Sequence, residues 1–161
     1  MILGMSLAGF TIFHIVLSVI GIAFGFIVAG GILASNRLAR WTALFLALTV
    51  LTNATGFLFP FTKLLPSHMV AIISLVLLAV AIFALYGKNL TGIWRPVYIA
   101  TAMLALWFNV FVLIVQSFQK VALLNVLAPT GSEPPFAITQ GAVLLFFVVM
   151  IVMGIRRFKP V

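Results

Sequence analysis

Acid is what this chain lacks most. It has no Asp and a single Glu, Glu133, in 161 residues, against nine Lys and Arg. One carboxylate cannot supply the pair that glycoside hydrolysis needs, and without Asp there is no Ser-His-Asp triad. Cysteine is absent as well, which removes disulfides, thiolate nucleophiles and Cys-ligated metals. Charge of either sign is scarce: 6% of residues carry one, far below the usage of about 25% in soluble domains. No glycine-rich loop follows a strand-like run, so nucleotide binding has no motif to rest on.

What is present is apolar. Hydrophobic residues make up 65% of the chain, and the mean hydropathy is +1.39. A membrane-spanning helix needs about 20 mainly apolar residues. Five stretches answer to that description: 5–34, 41–61, 69–86, 96–118 and 136–155. The expected fold is all-α, one transmembrane domain over residues 1–161 with five crossings. The first stretch lacks a positively charged start and is about twice as long as the apolar part of a signal peptide, so it reads as a retained helix.

The charges sit in the breaks. Arg37 and Arg40, then Lys88 and Arg95, then Arg156, Arg157 and Lys159 fall on one side if there are five crossings, leaving Lys63 and Lys120 on the other. Seven against two in short loops predicts an outside N-terminus and a cytoplasmic C-terminus by the positive-inside rule. The same arrangement explains the sequence pI of about 11.5 without nucleic acid, which is not an expected partner. The expected partners are the lipid bilayer and, within it, other membrane proteins or a second copy of the chain.

Small and polar residues recur on helical faces. His14, Ser18, Gly21 and Gly25 form one stripe, Thr49, Thr52, Asn53, Gly56 and Pro60 a second, and Ala102, Ala105, Asn109, Val112 and Gln116 a third. Lipid gives helices no hydrophobic reason to associate, so such stripes mark faces where helices approach closely and share hydrogen bonds. Depth adds a second reading. Threaded through five crossings, His14, Asn53, His68, Asn109, Gln116, Gln119, Glu133 and Gln140 all fall in the outer half. Polar groups gathered at one end suit a pocket opening outward, between the first, second and fourth helices under the proline-rich loop that carries Glu133.

Several chemistries compete for that end. An apolar slot with a few hydrogen-bonding groups suits a quinone or a lipid. His14 and His68, the only imidazoles, are alternative ligands for a b-type haem, although His14 lies roughly 6–13 Å deeper than His68 at the rise of an α-helix. Adding Glu133 would make a metal-binding triad of two His and one carboxylate. No other metal set exists. The expected function is therefore non-enzymatic: a structural or accessory membrane subunit, or a binder of an apolar ligand, with haem-based electron transfer as the alternative.

The run Leu51-Thr52-Asn53-Ala54-Thr55-Gly56-Phe57-Leu58-Phe59-Pro60-Phe61, the triplet Pro66-Ser67-His68 and the loop Ala128-Pro129-Thr130-Gly131-Ser132-Glu133-Pro134-Pro135-Phe136 resemble segments of small bacterial inner-membrane proteins of unknown function. That resemblance implies a multi-pass protein of the bacterial inner membrane and brings no activity with it.

Overall fold

In the computed structural model, residues 1–60 and 66–159 are described, and among them every extended element of secondary structure is helical. Helix α1 covers Leu7–Leu33, α2 Ala39–Gly56, and α3 Pro66–Ile82, which runs on through a π-helical turn at Phe83–Gly87. Then come α4 at Trp94–Lys120, a short α5 at Ala122–Leu127 and α6 at Pro134–Arg157.

Local chemistry sets the ends. The Ser6 hydroxyl accepts the Gly9 N–H and starts α1, the usual service of an N-cap serine. Pro134 and Pro135 occupy the first turn of α6, where a missing N–H costs nothing. Pro96 likewise lies inside the first turn of α4 rather than ahead of it. Helix α2 stops at Gly56, short of the expected 61. Phe57 and Leu58 donate three residues back, to Ala54 and Thr55, and Pro60 restrains the residue before it from helical geometry. Phe61 and Lys63 lie outside the described residues. Beyond α4, the extended Val121 breaks the helix, and the Asn125 amide donates to the Phe118 carbonyl at 3.2 Å, holding α5 against the end of α4.

Four helices are long and apolar enough to cross a membrane: α1, α3 with its π turn, α4 and α6. Their outward faces carry large apolar side chains, with Ile12 64%, Leu145 64% and Ile138 70% exposed. A soluble protein does not display continuous faces of that kind; lipid covers them without cost. The chain is a multi-pass helical membrane protein. Helix α2 is long enough but falls short of the same apolarity because it carries Arg40, four threonines and Asn53 in 18 residues. Most of those polar groups are hidden: Thr42, Thr49, Thr52, Asn53 and Thr55 are buried against other helices.

Helix α4 is the hub, touching α1, α2, α3, α5 and α6. Around it Phe45, Leu78, Ala81, Ile99, Ala105 and Leu106 are fully buried. The glycine stripe of α1 is a close-packing face. A methyl group on Gly21 would sit 3.4 Å from Leu48 of α2, and one on Gly25 would collide with Leu106 of α4 and come within 2.9 Å of Phe45. Gly154 does the same for α6, facing Ile32 and Ile99 at 2.9 and 3.0 Å. Elsewhere α6 is peripheral, with only Phe147 and Gly154 buried.

Candidate functional site

One helical turn of α1 and the end of α2 build the centre of the polar end. His14 Nδ1 lies 2.9 Å from Thr55 Oγ1. Thr55 Oγ1 in turn donates to the carbonyls of Leu51 at 2.7 Å and Thr52 at 3.1 Å, on its own helix. A hydroxyl has one proton to give. With that proton committed to α2, the hydroxyl accepts from His14, so Nδ1 carries the hydrogen and Nε2 keeps a bare lone pair. The tautomer follows from the bonding pattern.

Aromatic rings frame the imidazole. Phe59 meets it edge-on with centroids 5.3 Å apart, and Phe59 also packs 4.9 Å from the fully buried Phe10. On the same α2 exit, Phe57 stacks on His68 at 5.4 Å, and His68 is itself buried at the start of α3. The segment after α2 thus places one phenylalanine against each histidine. Gly56, between them, leaves room: a methyl there would lie 3.9 Å from the His14 ring.

Deeper along the helices the polar groups turn inward. The Asn53 amide donates to the Thr49 carbonyl at 2.8 Å, one turn back on α2. The Asn109 amide nitrogen, the hydroxyls of Thr49 and Thr52, and that of Ser74 are buried without a partner among the described residues. They belong to α2, α3 and α4, which pack on one another. A buried unsatisfied group costs about 1–3 kcal/mol, so these four atoms are the natural places for a water or a ligand's polar head.

The remaining candidates lie apart from this centre. The Gln140 amide of α6 donates to the Phe111 carbonyl of α4 at 3.2 Å, while its buried Oε1 has no partner among the described residues. Gln116 and Gln119 are exposed on the last turns of α4. Glu133 binds its own loop: Oε1 accepts from the Thr130 N–H at 3.0 Å and hydroxyl at 2.9 Å, and Oε2 from the Ser132 N–H at 3.0 Å. Desolvation pushes its pKa up, but these bonds outweigh it and hold the carboxyl below its ordinary 4.5. The expectation that this loop lends a carboxylate to a His14–His68–Glu133 metal triad does not hold, since among the described residues no three His or Glu side chains lie close enough to share an ion.

Sequence reasoning finds His14 but not what it bonds. Thr55 carried no special signal beyond following Asn53 by two positions, and Phe57 and Phe59 were lost among 16 phenylalanines. Set against protein-family models, curated proteins and solved structures, the chain matches none of them.

Proposed function

We propose that this chain is a non-enzymatic five-pass protein of a bacterial inner membrane, N-terminus outside and C-terminus cytoplasmic. In this reading it holds an apolar ligand with a hydrogen-bonding head, a quinone or a lipid, at its outward end, alone or as an accessory subunit of a larger membrane assembly. The observation that carries the reading is the His14–Thr55 bond. It leaves a bare imidazole nitrogen beside Phe59, an acceptor for a hydroxyl of a lipid head or of a reduced quinone, while the Asn109 amide, unpartnered among the described residues, supplies the donor that a quinone carbonyl needs.

Two features support α2 as the fifth crossing. From Ala39 to Thr55 it rises about 24 Å at 1.5 Å per residue, close to the hydrocarbon thickness of about 30 Å. It also carries the chain from the Arg37 loop back to the level of His14. With α2 crossing, Arg37, Arg40, Lys88, Arg95, Arg156, Arg157 and Lys159 share one face, and Lys120 lies on the other.

The test is to purify the protein in mild detergent and extract what accompanies it for mass spectrometry. A quinone or a specific lipid should co-purify with the wild type and be lost from His14→Leu. Its retention by that variant, or the absence of any such molecule from the wild type, would reduce the polar end to a packing seam. An absorption spectrum of the same sample, after haem-supplemented expression, should be featureless above the protein band. A Soret band lost in both His14→Ala and His68→Ala would replace the ligand reading with a haem protein. For orientation, reporters fused after residue 161 should be active only as cytoplasmic fusions, and periplasmic activity would invert the assignment.

A further inference from the structure

At the opposite end of α1 from His14, three separate parts of the chain converge on an open cleft of about 490 Å³. Its wall includes Arg37 from the α1–α2 turn, Asn89, Leu90 and Gly92 from the segment before α4, Arg95 from the first turn of α4, and Lys159 from beyond α6. We infer that this cleft is a binding site for the phosphate headgroup of an anionic phospholipid. The inference is independent of any ligand near His14, which lies at the other end of the bundle.

The charge balance is the first argument. Three cations face the cleft, and the chain's only acidic side chain, Glu133, sits at the start of α6, the far end from Lys159. Among the described residues Arg37 donates to Asn89 alone, at 3.3 Å to its side-chain oxygen and 3.4 Å to its carbonyl. Both partners are neutral, so they aim the guanidinium without cancelling its charge. Arg95 and Lys159 have no side-chain hydrogen bond or ion pair among the described residues. Flexible cations free to repel would normally spread into solvent. Here the backbone holds their bases together, because the Lys159 N–H donates to Ser35 Oγ at 2.8 Å, beside Arg37.

Helix geometry sharpens the argument. Arg95 lies in the first turn of α4, which contains no acid, and no side chain caps that helix at Ile93. The start of a helix carries partial positive charge and disfavours a cation. An anion in the cleft satisfies the helix start and all three side chains at once, and guanidinium groups match phosphate oxygens geometrically.

Position selects the lipid as the source of that phosphate. The cleft lies where the apolar helices end, which is the headgroup level of a bilayer. Just beside it Ile93 and Tyr86 are largely exposed, and Lys88 lies over the rings of Phe83 and Trp94 at 5.5 and 5.9 Å. Aromatic rings at that level mark the membrane interface, and basic pockets there take anionic headgroups. An acyl chain descending from the cleft would run over the same apolar surface.

The experiment uses the full chain in detergent, titrated with phosphatidylglycerol or phosphatidylcholine and followed by native mass spectrometry. Phosphatidylglycerol should be retained at least tenfold more tightly than phosphatidylcholine. Arg37→Gln, Arg95→Gln and Lys159→Gln combined should abolish that preference, while Arg156→Gln with Arg157→Gln, cations at the same end that do not line the cleft, should keep it. If the triple variant does not fold, Arg95→Gln alone, in the half-buried first turn of α4, should still lose most of the preference. Inorganic phosphate at tens of millimolar should fail to displace the lipid. Equal retention of the two lipids, an equal loss in the Arg156/Arg157 variant, an unaffected cleft variant, or full displacement by phosphate would each overturn the assignment. The last would point to a free-anion site, and the second to diffuse surface charge.

Discussion

The two ends of the bundle handle polarity in opposite ways. Inside the bundle at the His14 end, His14, Asn53, Thr55, His68 and Asn109 are uncharged polar groups, buried or half-buried. Several of them, Asn53 and Thr55 among them, turn onto carbonyls one helical turn away. At the Arg37 end their counterparts are cations, exposed at Arg37 and Lys159 and half-buried at Arg95, without an acid among them. The difference follows from cost. A neutral group can leave water if it finds a hydrogen bond, whereas a buried charge needs a counterion. This chain has one carboxylate to offer, and Thr130 and Ser132 already hold it. Recognition inside the bundle is therefore restricted to neutral partners, and recognition of anions to its rim.

The largest expected effect comes from breaking what joins the two ends. Gly25 lies between them on α1, facing Leu106 and Phe45, so Gly25→Val overfills a closed contact. Overpacking of this kind costs about 1–3 kcal/mol. Thermal unfolding in detergent should show it, and the stability of both ends should fall together. Gly21→Ala, with 3.4 Å of clearance, should change little, and equal losses in the two variants would mean that α1 is pressed no harder at Gly25 than at Gly21.

A step smaller is the bond that defines the neutral end. A double-mutant cycle of His14→Phe and Thr55→Val should return a coupling of about 0.6–2 kcal/mol, the range for interhelical hydrogen bonds in membranes. Additive single effects would reduce the pair to mere neighbours. Asn109→Leu tests the same end from within. Its amide nitrogen has no partner among the described residues, so removing it from a dry site should leave stability within about 1 kcal/mol of wild type or raise it. A larger fall would place a water or a ligand head on that amide.

The smallest effect belongs to the one acid. The folded carboxyl of Glu133 titrates below its ordinary 4.5, so the loop gains its order from the ionised form. That contribution is complete above the unfolded carboxyl's range and is lost as pH falls through the lower, folded value. Amide chemical shifts of Thr130 and Ser132 should titrate there and stop titrating in Glu133→Gln. A shift persisting in the Gln variant would assign the titration to something else.

Much of the helix layout is legible in the sequence because lipid demands long apolar runs and little else. The runs at 5–34, 96–118 and 136–155 end within two residues of α1, α4 and α6. Proline displaced the expected start of α6, since Pro134 and Pro135 sit inside its first turn and not ahead of it. Helix α2 ends five residues early because Phe57 and Leu58 close turns on it. The π turn at Phe83–Gly87 has no sequence period of its own. His14, Asn53 and Asn109 stand out in the sequence as polar residues within apolar runs, yet their pairing does not: nothing in the spacing tells His14 to meet Thr55, or Gln140 to reach Phe111. At the other end, Arg37, Arg95 and Lys159 read as markers of orientation. Their convergence depends on which helix ends are neighbours, and that is a property of the bundle.

The bond from the Lys159 N–H to Ser35 Oγ spans 124 positions of the chain. It fastens the tail to the first turn, and the cleft borrows one wall from each. A ribosome delivers the Arg37 wall long before the Lys159 wall. The phosphate cleft is thus missing until α6 has been made and seated, and its occupancy reports that α6 is in place.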